Sequence, residues 1–318
     1  MKITVILCTY NRCGELANVL NSLAASTLPD STEWEVLVVD NNSTDQTRDV
    51  ASDFSIRFPG RFRYVFESRP GKSFALNAGI HEACGDVLAF VDDDVTVEPT
   101  WLQNLTAPLR DGDWAATGGR TLPANSFTRP RWFAPELLGV LCAHFDLGDK
   151  PCELSQAPYG ANMAVRKEMF EKYGRFRTDL GPSPNSNIPR PNEDTEFGRR
   201  LMNAGQRLRY EPSAVVHHPV LEERLQKEYF LGWWFDYGRA SMREVQARRK
   251  VLGIPRSYFN VMKCVMVHLP RNALRWILTF NPRSRFYSKC FVWMAAGLTV
   301  EAYRRSFGAK STRSPAVE

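Results

Sequence analysis

The sequence predicts an α/β fold: a mostly parallel central sheet with flanking helices, followed by a helical, basic C-terminal extension. Three observations predict it. Short apolar runs alternate with helically spaced apolar residues through the N-terminal region, as in strand–helix–strand units. Two of those runs end in aspartates, at the strand ends where such sheets bind ligands. The charge is also uneven. Residues 221–318 hold 18 Lys and Arg against 7 Asp and Glu, a net of +11, whereas residues 1–220 hold 23 against 28, a net of −5.

The elements follow in order. Ile3–Leu7 is a buried strand that delivers a polar loop. Leu16, Val19, Leu20 and Leu23 give residues 15–25 helical spacing. Trp34–Val39 is a second strand ending at Asp40, and Asn42-Ser43-Thr44-Asp45 caps the next helix. Phe62–Phe66 is a third strand, Gly71–Ile80 a loop entering a helix, and Val87–Val91 a fourth strand ending at Asp92-Asp93-Asp94. Pro99 is expected in the first turn of the helix that follows. Over residues 111–190 Gly118-Gly119, Pro123, Pro130 and Pro135 break the periodicity, and Leu180–Pro191 reads as a proline-rich loop. Asp194 is expected to cap a helix that runs to about Asn203 and ends at Gly205. The boundaries read as a catalytic domain over 1–220, with one half to about 110 and another from about 111, and a helical region over 221–318.

Composition removes several classes. The 318 residues are 43% apolar and 24% charged, which excludes wholesale disorder and collagen-like repeats. In the apolar C-terminal region the longest charge-free stretch, Cys290–Val300, has eleven residues, too few to span a bilayer. Ile3–Cys8 meets polar residues too early to be a signal-peptide core. Seven cysteines with no Cys-x-x-Cys spacing indicate neither a disulfide framework nor a zinc ribbon, so a reducing, cytoplasmic setting is expected.

The chemistry lies in the polar strand ends. Three adjacent carboxylates at Asp92–Asp94 repel one another unless a cation compensates them. Two uses are open: a solvated acidic turn, or a site for Mg²⁺ or Mn²⁺, which prefer oxygen ligands and share them with substrate phosphates. Asp40 either shapes a loop or hydrogen-bonds a nucleoside. Glu193-Asp194 opens a helix, where a carboxylate either caps or serves as general base on a hydroxyl. His217-His218 is either a structural pair or completes a metal site. Lys72, before a helix, suits phosphate. The phosphate-loop pattern is absent, since neither Phe66 nor Glu67, upstream of Gly71-Lys72, is glycine. No Gly-x-Gly-x-x-Gly follows the first strand, so nucleotide triphosphatases and dinucleotide dehydrogenases lose support.

Six blocks together resemble the inverting family-2 glycosyltransferases of the A-type nucleotide-sugar fold. They are Val5-Ile6-Leu7-Cys8-Thr9-Tyr10-Asn11-Arg12; Val36–Asp40 with Asn41-Asn42-Ser43-Thr44-Asp45; Gly71-Lys72-Ser73-Phe74-Ala75-Leu76-Asn77-Ala78-Gly79; Phe90-Val91-Asp92-Asp93-Asp94; Gly160-Ala161-Asn162-Met163-Ala164-Val165-Arg166; and Asn192-Glu193-Asp194-Thr195-Glu196-Phe197, with Val216–Pro219 beyond. Their order and spacing cover residues 1–220. Cys8 stands where the family usually has proline, and Leu76 where arginine is common. The resemblance implies donor contacts from Thr9, Asn11, Arg12, Asp40, Lys72, Asp92 and Asp93. It implies a Mn²⁺ or Mg²⁺ site at Asp94, Asp92 and His218, with His217 as the fallback. It implies Asp194 as base and Glu193 as its partner on the acceptor side. The reaction implied is an inverting transfer of a hexosyl or N-acetylhexosaminyl group from a nucleotide sugar, UDP first on family frequency, with GDP and dTDP behind.

Residues 259–269, 273–280 and 286–303 are apolar, aromatic and basic, a pattern that suits an anionic membrane face. The alternative is packing on the catalytic domain or a second subunit. Many relatives act on cell-envelope or lipid-linked acceptors, so a peripheral position on the inner membrane face is expected. Three readings stand behind this one. A sugar-1-phosphate nucleotidyltransferase would want a glycine-rich loop that residues 9–14 lack. An inactive nucleotide-sugar scaffold sits poorly with an intact set of aspartates. A nucleic-acid binder shows no recognizable signature.

Overall fold

The computed structural model describes residues 1–185, 188, 190–244, 250–251, 254–255 and 262–307. Part of the proline-rich loop, the start of the first C-terminal apolar segment at 259–261, and residues 308–318 lie outside the described residues.

Two compact units form. The first comprises residues 1–128, 138–188 and 192–224. Its sheet begins with four parallel strands, β1 (Ile3–Thr9), β2 (Trp34–Asp40), β3 (Phe62–Phe66) and β4 (Val87–Asp92), joined through helices α1 (Cys13–Ala24), α2 (Thr47–Arg57) and α3 (Lys72–Glu82). Then come β5 (Thr96–Val97), α4 (Trp101–Asp111), β6 (Ala116–Pro123), α5 (Leu138–Cys142), β7 (Cys152–Glu153), β8 (Asn162–Arg166), α6 (Lys167–Tyr173), α7 (Glu193–Asn203) and β9 (Leu208–His218). Among the described residues the strand order is β3-β2-β1-β4-β8-β6-β9-β5, with β7 on β9.

The strands read as continuous apolar runs because both faces are covered. Val5, Leu7, Val36 and Val38 pack with Leu16 and Leu20 of α1 and Trp101 of α4. Their neighbours in sequence, Ile6, Leu37 and Val39, turn to the other face and meet Ile80 of α3 and Phe197 of α7.

The parallel character is confined to the first four strands and to β6 beside β9; β8 runs antiparallel to both β4 and β6. Three local expectations are corrected. Gly118-Gly119 does not interrupt the chain but lies inside β6. A Cβ on Gly119 would overlap the Ala214 carbonyl and the Asn162 amide, and the β6–β9 register shifts after Gly119. Glycine is what lets the strands approach there, and its low strand propensity hid the strand. Pro99 stands before α4: Trp101 N donates to Glu98 O, a turn whose second position suits proline's fixed φ. Asn192, not Asp194, occupies the N-cap of α7, with φ +85°, a left-handed geometry that asparagine tolerates.

The second unit comprises residues 129–137, 189–191 and 225–318, with α8 (Lys227–Glu244), α9 (Leu269–Leu278) and α10 (Pro282–Phe307). Helices α8 and α10 touch backbone to backbone: a Cβ on Gly238 would overlap the Met294 carbonyl, and one on Gly297 the Phe235 carbonyl. The contact encloses a charge cluster. Buried Glu301 accepts from Arg243 Nε at 2.6 Å and Arg239 Nε at 3.3 Å. Trp132, Phe230 and Phe286 form a separate aromatic group in this unit, with Trp132 and Phe286 centroids 4.7 Å apart. No helix among the described residues is long and apolar enough to cross a membrane.

Candidate active site

The parallel register pairs Thr9 with Asp40, and Cys8 with Asp92, so the ends of β1, β2 and β4 converge at one edge. Asp40 is buried there, one oxygen accepting from Ser43 N at 2.9 Å and the other from the Tyr64 hydroxyl at 2.8 Å. Burial first, and then the Asp40 charge, push the Tyr64 phenol up to about 12. Asn11, expected as a donor contact, spends its amide oxygen on Thr44 N at 2.7 Å, and its own N–H donates to Ser43 Oγ at 2.9 Å. Its φ of +51° is part of that loop–loop tie.

Asp92, Asp94 and His218 each offer one ligand atom, and the three atoms lie within 4.8 Å of one another. His218 Nδ1 sits 3.0 Å from the Pro219 carbonyl. A carbonyl only accepts, so Nδ1 is the donor there, and Nε2 faces Asp94 Oδ1, 3.5 Å away. With Nε2 unprotonated, one imidazole and two carboxylates make a donor set fit for Mn²⁺ or Mg²⁺. The Pro219 bond is the outer support that fixes a metal-binding histidine's tautomer. His217 points to the opposite face of β9, with Nε2 3.3 Å from Glu98 Oε1. Strand alternation separates the two histidines, which the adjacent letters did not reveal.

Cations already border these carboxylates. Arg12 Nη1 lies 2.5 Å from Asp94 Oδ2 and 3.4 Å from Asp93 Oδ1. Arg224 Nη2 lies 3.8 Å from Asp94 Oδ2. Burial pushes the Asp93 carboxyl up to about 6, against the pull of Arg12 and with help from Asp94. Arg224 had no role in the sequence reading. It follows Glu222-Glu223 and reads as a mixed surface turn.

Lys72 turns inward. Its Nζ is 2.6 Å from Asp92 Oδ1 and 3.7 Å from Glu193 Oε1. Burial opposes its charge, but Asp92 and Glu193 outweigh burial and raise its pKa well above the ordinary value. Burial likewise opposes ionization of Asp92, and Lys72 overcomes it, so the carboxyl is held below its usual range. Glu193 goes the other way: burial, and then the adjacent Asp194 charge, push it up. Asp194 does not cap α7. Its Oδ2 accepts from Gly160 N and its Oδ1 from Thr195 N, both at 2.6 Å, which fixes the carboxylate's direction. The proline-rich loop holds this arrangement: Ser73 Oγ donates to Leu180 O at 2.7 Å and Lys72 N to Pro182 O at 2.8 Å. Cys8 and Leu76, the two departures from the family pattern, line one small cavity with Lys72, Asp92, Glu193 and Asp194.

The fold and this edge define a glycosyltransferase of the A-type nucleotide-sugar class. The fold is shared with a mannosyltransferase from Pyrobaculum calidifontis solved in complex with GDP-Man and Mn²⁺, at a TM-score of 0.61 and 18% identity over 97% of this chain and 88% of that one. It is shared also with S. aureus TarS 1–349 solved with UDP-GlcNAc, at a TM-score of 0.54 and 17% identity over 96% of this chain and 92% of that one. The family model described as glycosyl transferase family 2 matches residues 4–174, and the chain belongs to that family. Among its relatives, succinoglycan biosynthesis protein ExoM of Rhizobium meliloti is 31% identical over 225 residues, 70% of this chain and 69% of that protein. A glucosyl-dolichyl phosphate glucuronosyltransferase of Haloferax volcanii is 27% identical over 248 residues, 76% of this chain and 77% of that protein.

Proposed function

We propose that the chain is a divalent-metal-dependent, inverting glycosyltransferase. It moves a sugar from a nucleoside-diphosphate sugar, a UDP-sugar first, to a hydroxyl of a cell-envelope glycan or lipid-linked acceptor. The observation that carries this reading is the convergence of Asp92, Asp94 and His218 with Lys72, Glu193 and Asp194 at one sheet edge. The relatives' names support the acceptor class, and the neighbours solved with GDP-Man and Mn²⁺ or with UDP-GlcNAc support the donor class.

In this reading Thr9, Asn11, Arg12 and Asp40 form the nucleoside side of the site, and Lys72, Asp92 and Asp93 the diphosphate and ribose side. Asp92, Asp94 and His218 hold Mn²⁺ or Mg²⁺, which when bound offsets the negative charge that develops on the leaving diphosphate. Asp194 receives the acceptor hydroxyl's proton at a carboxylate oxygen, whose second lone pair the Gly160 and Thr195 bonds leave available. The acceptor oxygen bonds to the anomeric carbon as the bond to the diphosphate breaks on the opposite side, so the configuration inverts. Glu193 lies beside the base on the acceptor side.

The test is Asp194→Asn. Nucleotide affinity stays at the wild-type value, and transfer falls by about 10²–10⁴-fold, the range for losing a general base. Transfer at the wild-type rate in this variant removes Asp194 from the role.

A further inference from the structure

We propose that α9, with the helical turns before it, is a docking surface for an anionic lipid bilayer. The surface lies within the second unit and goes beyond the transfer reaction, which uses none of its residues. Trp276 faces α10, its ring 6.2 Å from Trp293 with Lys289 Nζ 5.3 Å from its centroid. The other side of α9 sends Leu274, Ile277 and Leu278 into solvent, Ile277 at 67% exposure, and Phe280 just beyond is 99% exposed. Met262, Met266 and Val267 continue the ridge upstream, Met266 at 72%. Single exposed leucines are ordinary, but a contiguous ridge of this kind marks an interaction site.

Charge identifies the occupant. Residues 262–300 contain no Asp or Glu and six cations, Lys263, Arg271, Arg275, Arg283, Arg285 and Lys289. The first five are exposed. A short apolar ridge flanked by arginines is the pattern of a helix lying in the bilayer interface, aliphatic groups among acyl chains and guanidiniums at headgroup phosphates. A cavity of about 520 Å³ at the junction of α9 and α10, where Arg275 and Arg283 outnumber one carboxylate, Glu136, adds a polar niche of headgroup size beside the ridge. A second copy fits less well, because two-fold pairing would bring this face, which carries cations and no carboxylate over residues 262–300, against the same face of its partner, cation facing cation. A nucleic acid would use the cations and leave the ridge in water. A bilayer uses both.

The experiment is co-sedimentation of the full chain with vesicles of mixed phosphatidylglycerol and phosphatidylcholine, and of phosphatidylcholine alone. The wild type pellets with the anionic vesicles, and added salt weakens the association. Ile277→Glu with Phe280→Glu, and separately Arg271→Ala with Arg275→Ala, each lower vesicle affinity by about tenfold or more. All four positions are exposed, and circular dichroism verifies folding. Absence of wild-type pelleting overturns the proposal, as does wild-type pelleting by the Ile277→Glu, Phe280→Glu chain. A wild-type dimer that this variant turns into a monomer overturns it in favour of a second copy. A salt-sensitive DNA shift without vesicle binding overturns it in favour of nucleic acid.

Discussion

The two halves of the catalytic sheet bury polar groups in opposite ways. In the parallel half, carboxylates sit against cations from neighbouring elements: Glu35 with Arg63 at 2.8 Å, Asp92 with Lys72 at 2.6 Å, Asp94 with Arg12 at 2.5 Å. In the half built by β6, β8 and β9 the central buried group is a neutral amide. Asn162 accepts from Trp101 Nε1 at 2.8 Å and donates to the Arg120 and Ala214 carbonyls, each at 2.9 Å. Around it the strands close on glycine. The charge pairs of the first half make it sensitive to pH. The packing around Asn162 in the second makes it sensitive to volume. The acidic edge lies where they meet: Asp92 and Asp94 come from the end of β4, while Asp194 is aimed by the N–H of Gly160, just before β8.

The largest effect tests the shape side. Gly119→Ala puts a methyl group onto the Ala214 carbonyl and the Asn162 amide, both held by their own bonds, so neither can yield cheaply. A loss of about 3 kcal/mol or more is expected in denaturant unfolding, the range for overpacking that breaks a buried network. The loss should be the same at pH 5 and pH 8, two values chosen on either side of about 6.5, the histidine value, and above the ordinary carboxylates. A strong pH dependence would break the distinction between the halves.

The smaller effect tests the charge side. Glu35 Oε1 accepts from Thr4 Oγ1 and Cys84 N, and Oε2 from Arg63. Burial opposes its ionization, yet these bonds, Arg63 foremost, hold its pKa below the ordinary value. A depressed carboxylate stabilises above the unfolded value, about 4.3, and that stability is lost as pH falls through the lower folded value. Glu35→Gln should therefore cost about 1–2 kcal/mol at neutral pH, with the difference from wild type shrinking in acid. A difference constant with pH would show that shape, not charge, governs this half as well.

The same contrast explains what the sequence made legible. The parallel strands could be read because their runs are apolar, and two of them, β2 and β4, end in aspartates, so pattern and chemistry changed at the same residue. The strand β6 was hidden because its strand-forming feature is a pair of glycines whose purpose is another strand's backbone. Asp94, Asp92 and His218 were named as a set from the resemblance, and the structure brings their ligand atoms together. Which of the adjacent His217 and His218 faces Asp94 follows from strand alternation, which two neighbouring letters do not carry. Arg224 was invisible because nothing near it in sequence distinguishes it from a solvated arginine. Asn11 and Lys72 were expected as donor contacts; their partners in the structure, Thr44, Asp92 and Glu193, come from segments distant in sequence.

The central claim is that nucleotide binding at this edge runs through a metal held by Asp92, Asp94 and His218. The most direct measurement is calorimetric titration of the folded chain with UDP, GDP, dTDP and CDP, each with and without Mn²⁺, beside Asp94→Asn. The account predicts that one nucleotide, UDP first, binds only with Mn²⁺ and that Asp94→Asn abolishes this binding. Equal binding with and without the ion, or Mn²⁺-dependent binding that survives Asp94→Asn, would contradict it.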